Sequence, residues 1–226
     1  MKFTRERPHF TTNNLRQYRA YTRRDFESVC AYCFRHEDEA GGEAHFVQDH
    51  FEPKHRPSVD PADYFNLYWS CVECNAPQNK GRKWPTPEQF ARGERFCDPC
   101  HHDPVGTDYA ETNDWALTSL TPAGEFTIRH IRLSDRESLR KCRQERAVIK
   151  SMYQRDLSNL RAALDAWKKK LAEYPSNEDW EKCDSLRALV EAYELFLDRD
   201  PFMLHHPLPP DVPQELTDAI HPRPSG

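Results

Sequence analysis

Two pairs of closely spaced cysteines constrain this chain more than any other feature. Cys30 and Cys33 form one C-x-x-C pair, and Cys71 and Cys74 form a second. A two-residue gap lets both thiolates of a pair reach one ion, and Zn²⁺ prefers four such ligands in a closed tetrahedral site. The alternative is two unrelated pairs of buried thiols. We favour a four-cysteine zinc site that fastens the long segment between the pairs.

The cellular setting bears on how these thiols are interpreted. The chain has 226 residues, and no run approaches the roughly 18 apolar residues that a membrane span needs. Its first ten residues lack the apolar stretch of a signal peptide, which predicts a cytoplasmic protein without membrane contact. In that reducing compartment, paired cysteines indicate metal ligands before disulfides. A third pair, Cys97 and Cys100, is followed by His101 and His102, and either a second metal site or a tight turn fits it.

The segment between the cysteine pairs carries polar residues in a specific order. Asp49 and His50 are adjacent, Asn66 follows, and Asn75 comes directly after Cys74, nine positions beyond Asn66. This arrangement resembles the HNH nuclease superfamily, whose fold is the ββα-metal fold. Within that superfamily, the stretches DHFEPKH and YFNLYWSCVECN are similar to the PtuB-like nucleases of Septu-type and retron-linked anti-phage systems.

The resemblance assigns a role to each polar residue. Asp49 and Asn75 would supply oxygen ligands to a catalytic Mg²⁺ or Mn²⁺, the ions that hard oxygen donors suit. His50 would take a proton from the attacking water, since an imidazole titrates near neutral pH. Asn66 would hold the metal loop through backbone hydrogen bonds. The family has a Lys about three residues after its last ligand, whereas here the Lys follows Asn79, which makes Asn79 a rival to Asn75.

Charge is unevenly distributed along a chain whose net charge is −5. Residues 1–35 carry eight Lys/Arg against three Asp/Glu, and residues 176–226 carry four against eleven. A basic front is typical of a phosphate-binding face, although solvated surfaces explain the same blocks. The side chains expected to contact a nucleic-acid backbone are Lys54, His55, Lys80, Arg82 and Lys83.

The expected fold class is α+β, with an HNH core, a four-cysteine zinc clamp and a C-terminal helical hairpin. Strands are predicted at 44–49, 67–70 and 125–133, the last after a Pro122-Ala123-Gly124 turn signal. Ser134 and Glu137 form a capping-box pattern that predicts the start of a long helix ending at Tyr174-Pro175, and Ser176 begins another. The expected divisions are a basic arm with a helix (1–28), a nuclease domain (29–133), a hairpin (134–200) and a Pro-rich tail (201–226).

Together these features predict a DNA-cleaving HNH endonuclease. The resemblance further implies an effector of anti-phage defence that works with a partner ATPase, and the hairpin is long enough to serve a protein partner or self-association. Two other functions remain open. One is a non-catalytic zinc-ribbon module that binds nucleic acid or protein, and the other is an HNH nuclease that cleaves RNA or tRNA.

Overall fold

A computed structural model of the chain describes residues 2–198 and Val212. The chain divides into two compact units, Met1–Gln144 and Glu145–Gly226. The finer expected boundaries stay predictions, and the Pro-rich tail lies outside the described residues except for Val212. The secondary structure is α+β: α1 (Arg19–Asp25), β1 (Phe46–His50), β2 (Leu67–Cys71), α2 (Pro87–Ala91), β3 (Tyr109–Glu111), β4 (Leu117–Ser119), α3 (Pro122–Ile131), α4 (Glu137–Glu173) and α5 (Asn177–Asp198).

The first unit is organised around the antiparallel pair of β1 and β2. The register pairs Phe46 with Cys71 and His50 with Leu67, so each strand ends beside the other's beginning. All five residues of β2 are buried, and the fully buried Trp69 packs against Phe46 with ring centroids 5.7 Å apart. A short second sheet pairs β3 with β4. The aromatic core therefore fixes β1 by its buried side and leaves its C-terminal end beside the segment that connects the strands.

The segment predicted as a third short strand, 125–133, lies largely in a helix, α3. The Thr121 hydroxyl accepts from the backbone N–H of Gly124, and Pro122 occupies the first helical position of α3. Both are N-terminal helix signals that the turn interpretation missed. The buried Phe126 and Ile131 also fit a helical face. Gly124 permits close packing, because a Cβ there would collide with the carbonyl oxygen of Asp108.

The long helix α4 begins later than the capping-box pattern predicted. Its first residue is Glu137, and the Ser134 hydroxyl donates to the carbonyl of Leu117 while accepting from the Leu117 backbone N–H. Ser134 thus completes the hydrogen bonding of β4 instead of capping α4. Backbone groups at a strand end need partners as much as those at a helix end.

In the second unit, the C-terminal part of α4 packs against α5 as the sequence predicted. Ion pairs from Arg161 to Glu194 (2.6 Å) and from Lys170 to Asp179 (2.9 Å) join the two helices, which run antiparallel. Trp180, expected on the apolar face, is 51% exposed. The buried residues of this core are Leu157, Leu160, Ala163, Leu164, Leu171, Cys183, Leu186, Leu189, Val190 and Tyr193.

The described helices bear on membrane insertion. None within residues 2–198 combines the length with the apolar character that crossing a lipid bilayer requires.

Candidate metal centre and active site

The four cysteines of the two C-x-x-C pairs meet in the interior of the first unit. Their Sγ atoms all lie within 4.8 Å of one another, and all four residues are buried. The Sγ atoms of Cys33 and Cys71 are 3.9 Å apart. Four thiol sulfurs at this separation fit one tetrahedral Zn²⁺, with no carboxylate or imidazole among them.

The protonation of these thiols depends on their neighbours. Burial is the main cause that raises the pKa of Cys30, and a hydrogen bond from Cys30 is the main cause that lowers the pKa of Cys71. Groups this close titrate together as a set. Zinc binds the thiolate form of cysteine, so loading the cluster with metal would release the protons of these thiols.

Two arginines line the cysteine cluster. The guanidinium of Arg136 lies 3.1 Å from the Sγ of Cys74, and that of Arg35 lies 3.9 Å from the Sγ of Cys71. Glu73 contacts both arginines, at 2.7 Å from Arg35 and 3.3 Å from Arg136. Four thiolates around Zn²⁺ carry a net charge of −2, and two buried guanidiniums offset that charge.

Asp49 lies near the end of β1 with a buried carboxylate. The Tyr32 hydroxyl donates to its Oδ2 at 2.6 Å, and the ammonium of Lys80 lies 2.7 Å from the same oxygen. Lys80 also donates to the carbonyl of His50 at 2.8 Å. Both side-chain contacts use Oδ2, and no described residue donates a hydrogen bond to Oδ1. The carboxylate is fixed through one oxygen while the other keeps its lone pairs.

Lys80 differs from the other cations expected to bind nucleic acid. Its side chain is 0% exposed, and burial lowers its pKa while Asp49 opposes that shift. A side chain so enclosed cannot lie on a surface that tracks a phosphate backbone. The sequence prediction for Lys80 is therefore wrong on its placement, and Lys80 is instead the counter-ion of Asp49.

His50 is partly exposed, and its ring is held by the segment between the strands. Its Nε2 lies 2.9 Å from the carbonyl oxygen of Pro61. A carbonyl only accepts, so this bond places a proton on Nε2 and leaves the lone pair on Nδ1 in the neutral ring. In this tautomer Nδ1 can accept a proton, as a general base must.

Asn66 holds the turn that follows β1. Its Oδ1 accepts from the backbone N–H of Glu52 at 2.8 Å, and its Nδ2 donates to the Glu52 carbonyl at 2.9 Å. The backbone of Phe51 also donates to the carbonyl of Asn66. The Asn66 amide thus pairs with both the backbone N–H and the carbonyl of Glu52, which fixes the direction of the chain after His50.

The two asparagines that compete for the last ligand position lie in different surroundings. Asn75 is partly exposed and lines the cleft beside Asp49 and His50. Asn79 is 2% exposed, and its Nδ2 donates to the Glu73 carbonyl at 2.6 Å. The Oδ1 of Asn79 is buried without a partner. Only Asn75 is available to a ligand in the cleft.

The cleft next to β1 has a volume of about 880 Å³. It brings together Asp49, His50 and Asn75, whereas Asn66 and Lys80 lie outside its lining. Its charged lining is mainly basic, since Asp49 is its one carboxylate. The other lining residues are Gln48, Pro53, Lys54, His55, Pro77, Gly81, Arg82 and Lys83.

The third cysteine pair does not form a comparable metal site. Within residues 2–198, the four-cysteine cluster is the one group of three or more His, Cys, Asp and Glu side chains gathered closely enough to hold an ion. Burial raises the pKa of Cys100 to about 11 and that of Cys97 still further. His101 pairs with Asp98 at 2.6 Å instead of approaching a thiol. A turn with one buried thiol, Cys97, and one partly exposed thiol, Cys100, describes this pair.

Sequence reasoning missed several residues that shape the site. Tyr32 lies inside the first C-x-x-C pair, so the sequence alone placed it near the predicted zinc site. Its contact with Asp49 depends on where β1 lies in the fold. Pro61 acts through its carbonyl, which no side-chain pattern reports. Arg136 reaches the cysteines from a distant part of the chain.

The chain was compared with known proteins at three levels. Protein-family models, curated proteins and solved structures gave no match.

Proposed function

We propose that this chain is a metal-dependent endonuclease of the HNH type that hydrolyses DNA phosphodiester bonds. The observation that carries the proposal is the shared cleft of Asp49, His50 and Asn75, whose lining is basic. A carboxylate and an amide oxygen can hold a divalent ion and an imidazole can activate water, which together suit metal-assisted hydrolysis of a phosphodiester.

His50 is the general base in this proposal. The hydrogen bond to Pro61 leaves the Nδ1 lone pair of the neutral ring free to take a proton from water. Attack of that water on phosphorus breaks the bond to the 3′ oxygen, which takes a proton from solvent, and leaves a 5′-phosphate and a 3′-hydroxyl. Asn66 supports this step indirectly, because it holds the loop that follows His50.

Asp49 and Asn75 are the proposed ligands of a catalytic Mg²⁺ or Mn²⁺. Oδ1 of Asp49 accepts no hydrogen bond from the described residues, and Asn75 offers a neutral oxygen from the same cleft. Such hard donors fit these ions. When bound, the ion would neutralise charge that develops on the phosphate.

The basic residues of the cleft supply affinity for the substrate. Lys54 and Arg82 are exposed, and Lys83 and His55 line the same cleft. Cations in this position would contact phosphate oxygens on both sides of the cleaved bond, independently of base sequence.

The proposed setting is an anti-phage defence system in which a partner ATPase controls the nuclease. It is supported by the sequence resemblance and by exposed apolar side chains on the helices of the second unit. Met152, Trp180 and Leu195 are each at least half exposed. Apolar groups in such positions are typical of contacts with another protein or a second copy.

A second candidate function is a non-catalytic zinc-ribbon module. The ion pair between Lys80 and Asp49 favours it, because a buried ammonium already neutralises the carboxylate that a catalytic metal would need. In that case Asp49 and Lys80 would serve folding alone. Replacing Asp49 or His50 would then change no nucleic-acid chemistry.

A cleavage assay separates these functions. Supercoiled plasmid, linear duplex, single-stranded DNA and structured RNA are incubated with the zinc-loaded chain in Mg²⁺, Mn²⁺ or EDTA. We expect DNA cleavage in Mg²⁺ or Mn²⁺ and none in EDTA. Cleavage of RNA alone would indicate the ribonuclease alternative, and binding without cleavage would indicate the zinc-ribbon module.

A further inference from the structure

The zinc site and the proposed catalytic carboxylate are joined by one side chain. Tyr32 lies between Cys30 and Cys33, and its hydroxyl donates to Oδ2 of Asp49 at 2.6 Å. Its side chain is 2% exposed, so water does not replace this donor. We propose that Tyr32 is a positioning residue that orients Asp49 for metal binding, and that the zinc site holds Tyr32 in place.

The backbone around Tyr32 explains why the zinc site would control its position. The N–H of Phe34 donates to the Cys30 carbonyl at 2.9 Å, and the N–H of Ala31 donates to the Trp69 carbonyl at 2.8 Å. Two zinc–sulfur bonds, at Cys30 and Cys33, would fix the same short turn from both sides. Tyr32 therefore has little freedom to move relative to β2.

The second cysteine pair approaches the same carboxylate. The backbone N–H of Lys80 donates to the Cys74 carbonyl at 3.0 Å, and its ammonium contacts Oδ2 of Asp49. The Lys80 ammonium also lies 5.5 Å from the centre of the Tyr32 ring. A residue held by each cysteine pair, Tyr32 or Lys80, thus contacts Oδ2 of Asp49. Oδ1 of the same carboxylate is left for a ligand.

This inference rests on the proposed function, because it assumes that Asp49 binds the catalytic ion. Outer-shell hydrogen bonds of this kind orient metal ligands, and their loss commonly weakens metal affinity. A purely structural tyrosine would affect stability without a specific effect on that affinity. To separate a positioning role from a structural one, a control must remove a similar tyrosine–aspartate hydrogen bond outside the cleft.

Tyr64 provides the matched control. Its hydroxyl donates to Oδ2 of Asp25 at 2.6 Å, which reproduces the donor, acceptor and distance of the Tyr32 contact. Tyr64 and Asp25 are also buried in the first unit but are not part of the cleft lining. Tyr64→Phe removes an equivalent hydrogen bond that involves neither of the proposed metal ligands, Asp49 and Asn75.

The test is calorimetric titration of Mn²⁺ into the zinc-loaded 226-residue chain, after zinc content and circular dichroism show each variant to be folded. We expect Tyr32→Phe to weaken Mn²⁺ binding by about 10-fold to 100-fold and Tyr64→Phe to leave it unchanged. An unchanged affinity in Tyr32→Phe, or an equal loss in both variants, would overturn the inference.

A third variant separates this inference from the proposed function. Asp49→Asn should abolish the Mn²⁺ binding that the wild-type chain shows. If Asp49→Asn binds Mn²⁺ as the wild type does, or if the wild type binds none, the proposed metal site fails and the inference fails with it. If Asp49→Asn abolishes binding and Tyr32→Phe does not alter it, only the role of Tyr32 is wrong.

Discussion

The ammonium of Lys80 lies 2.7 Å from Oδ2 of Asp49, with side-chain exposures of 0% and 8%. A buried ion pair gains little net stability over a well-packed apolar pair, because both charges lose their hydration. Removing one partner is much more costly, since it leaves the other charge buried and unpaired. Because of this asymmetry, replacing one member of the pair should strongly lower the stability of the first unit.

Lys80→Met tests that asymmetry directly. It keeps most of the side-chain volume but leaves the Asp49 carboxylate with Tyr32 as its remaining side-chain partner. We expect the free energy of unfolding to fall by about 3–5 kcal/mol, measured by denaturant titration. Arg92→Met, which removes an exposed ion pair with Glu94, should cause no measurable change. Equal stabilities for the two variants would show that the Lys80 pair is not buried in solution.

The four-cysteine site predicts one zinc per chain. Cys71→Ser removes one of four thiolates, so we expect zinc loss and a cooperative loss of structure in the first unit. The measurement is elemental analysis combined with thermal unfolding. Cys183→Ser, in the core of the second unit, is the control and should retain zinc. Full zinc content in Cys71→Ser would contradict the assignment.

The four-cysteine cluster and the two strands between the cysteine pairs were predictable because they depend on residues close together in the sequence. Two-residue spacing fixes how the thiols of each pair can meet, and the strands beside Asp49 and Asn66 formed within two residues of their expected bounds at each end. The side chain of Lys80 was not predictable, since a lysine in a polar stretch indicates solvent. Only the tertiary fold brings it under β1.

The errors at α3 and Ser134 have different physical origins. At α3, the apolar pattern fits both the alternation of a strand and one face of a helix. The helix cap at Thr121, a local signal, favours the helix. Ser134 precedes an acidic residue at the right spacing, but its hydroxyl found partners on Leu117. At Ser134 a local signal therefore competed with a contact from a distant residue, and a single sequence does not rank the two.

His130 predicts a pH dependence of stability. Burial, followed by the charges of Arg129 and Lys83, lowers its pKa below the usual value near 6.5. The unfolded chain then binds a proton more readily, so this contribution makes stability rise with pH between the lowered pKa and about 6.5. It penalises the folded state as the pH falls through that window.

His130→Phe should remove this contribution. The ring packs against Phe126 with centroids 4.2 Å apart, so a phenyl group suits the site. We expect the variant to lose less stability than the wild type between neutral and mildly acidic pH, measured by urea unfolding at several pH values. The exposed His9, changed to Phe, should leave the wild-type pH profile intact. Parallel profiles for the wild type and His130→Phe would refute the assignment.

The basic cleft predicts a salt-dependent affinity for DNA. Lys54→Ala and Arg82→Ala should each weaken binding similarly across DNA sequences and reduce the slope of log affinity against log salt by about 1. Fluorescence anisotropy with catalytically inactive His50→Ala as the common background gives both quantities. Lys168→Ala, on a solvent-facing part of α4, is the control and should keep the slope. Unchanged slopes in the cleft variants would place the nucleic acid elsewhere.

The central claim, that His50 activates water in the cleft, is tested most directly by plasmid cleavage with wild type, His50→Ala and His9→Ala. Each protein is assayed in Mg²⁺ or Mn²⁺ after its zinc content is shown to be intact. We predict that His50→Ala retains fold and zinc but loses cleavage, while His9→Ala cleaves as the wild type does. Cleavage by His50→Ala at the wild-type rate would contradict it.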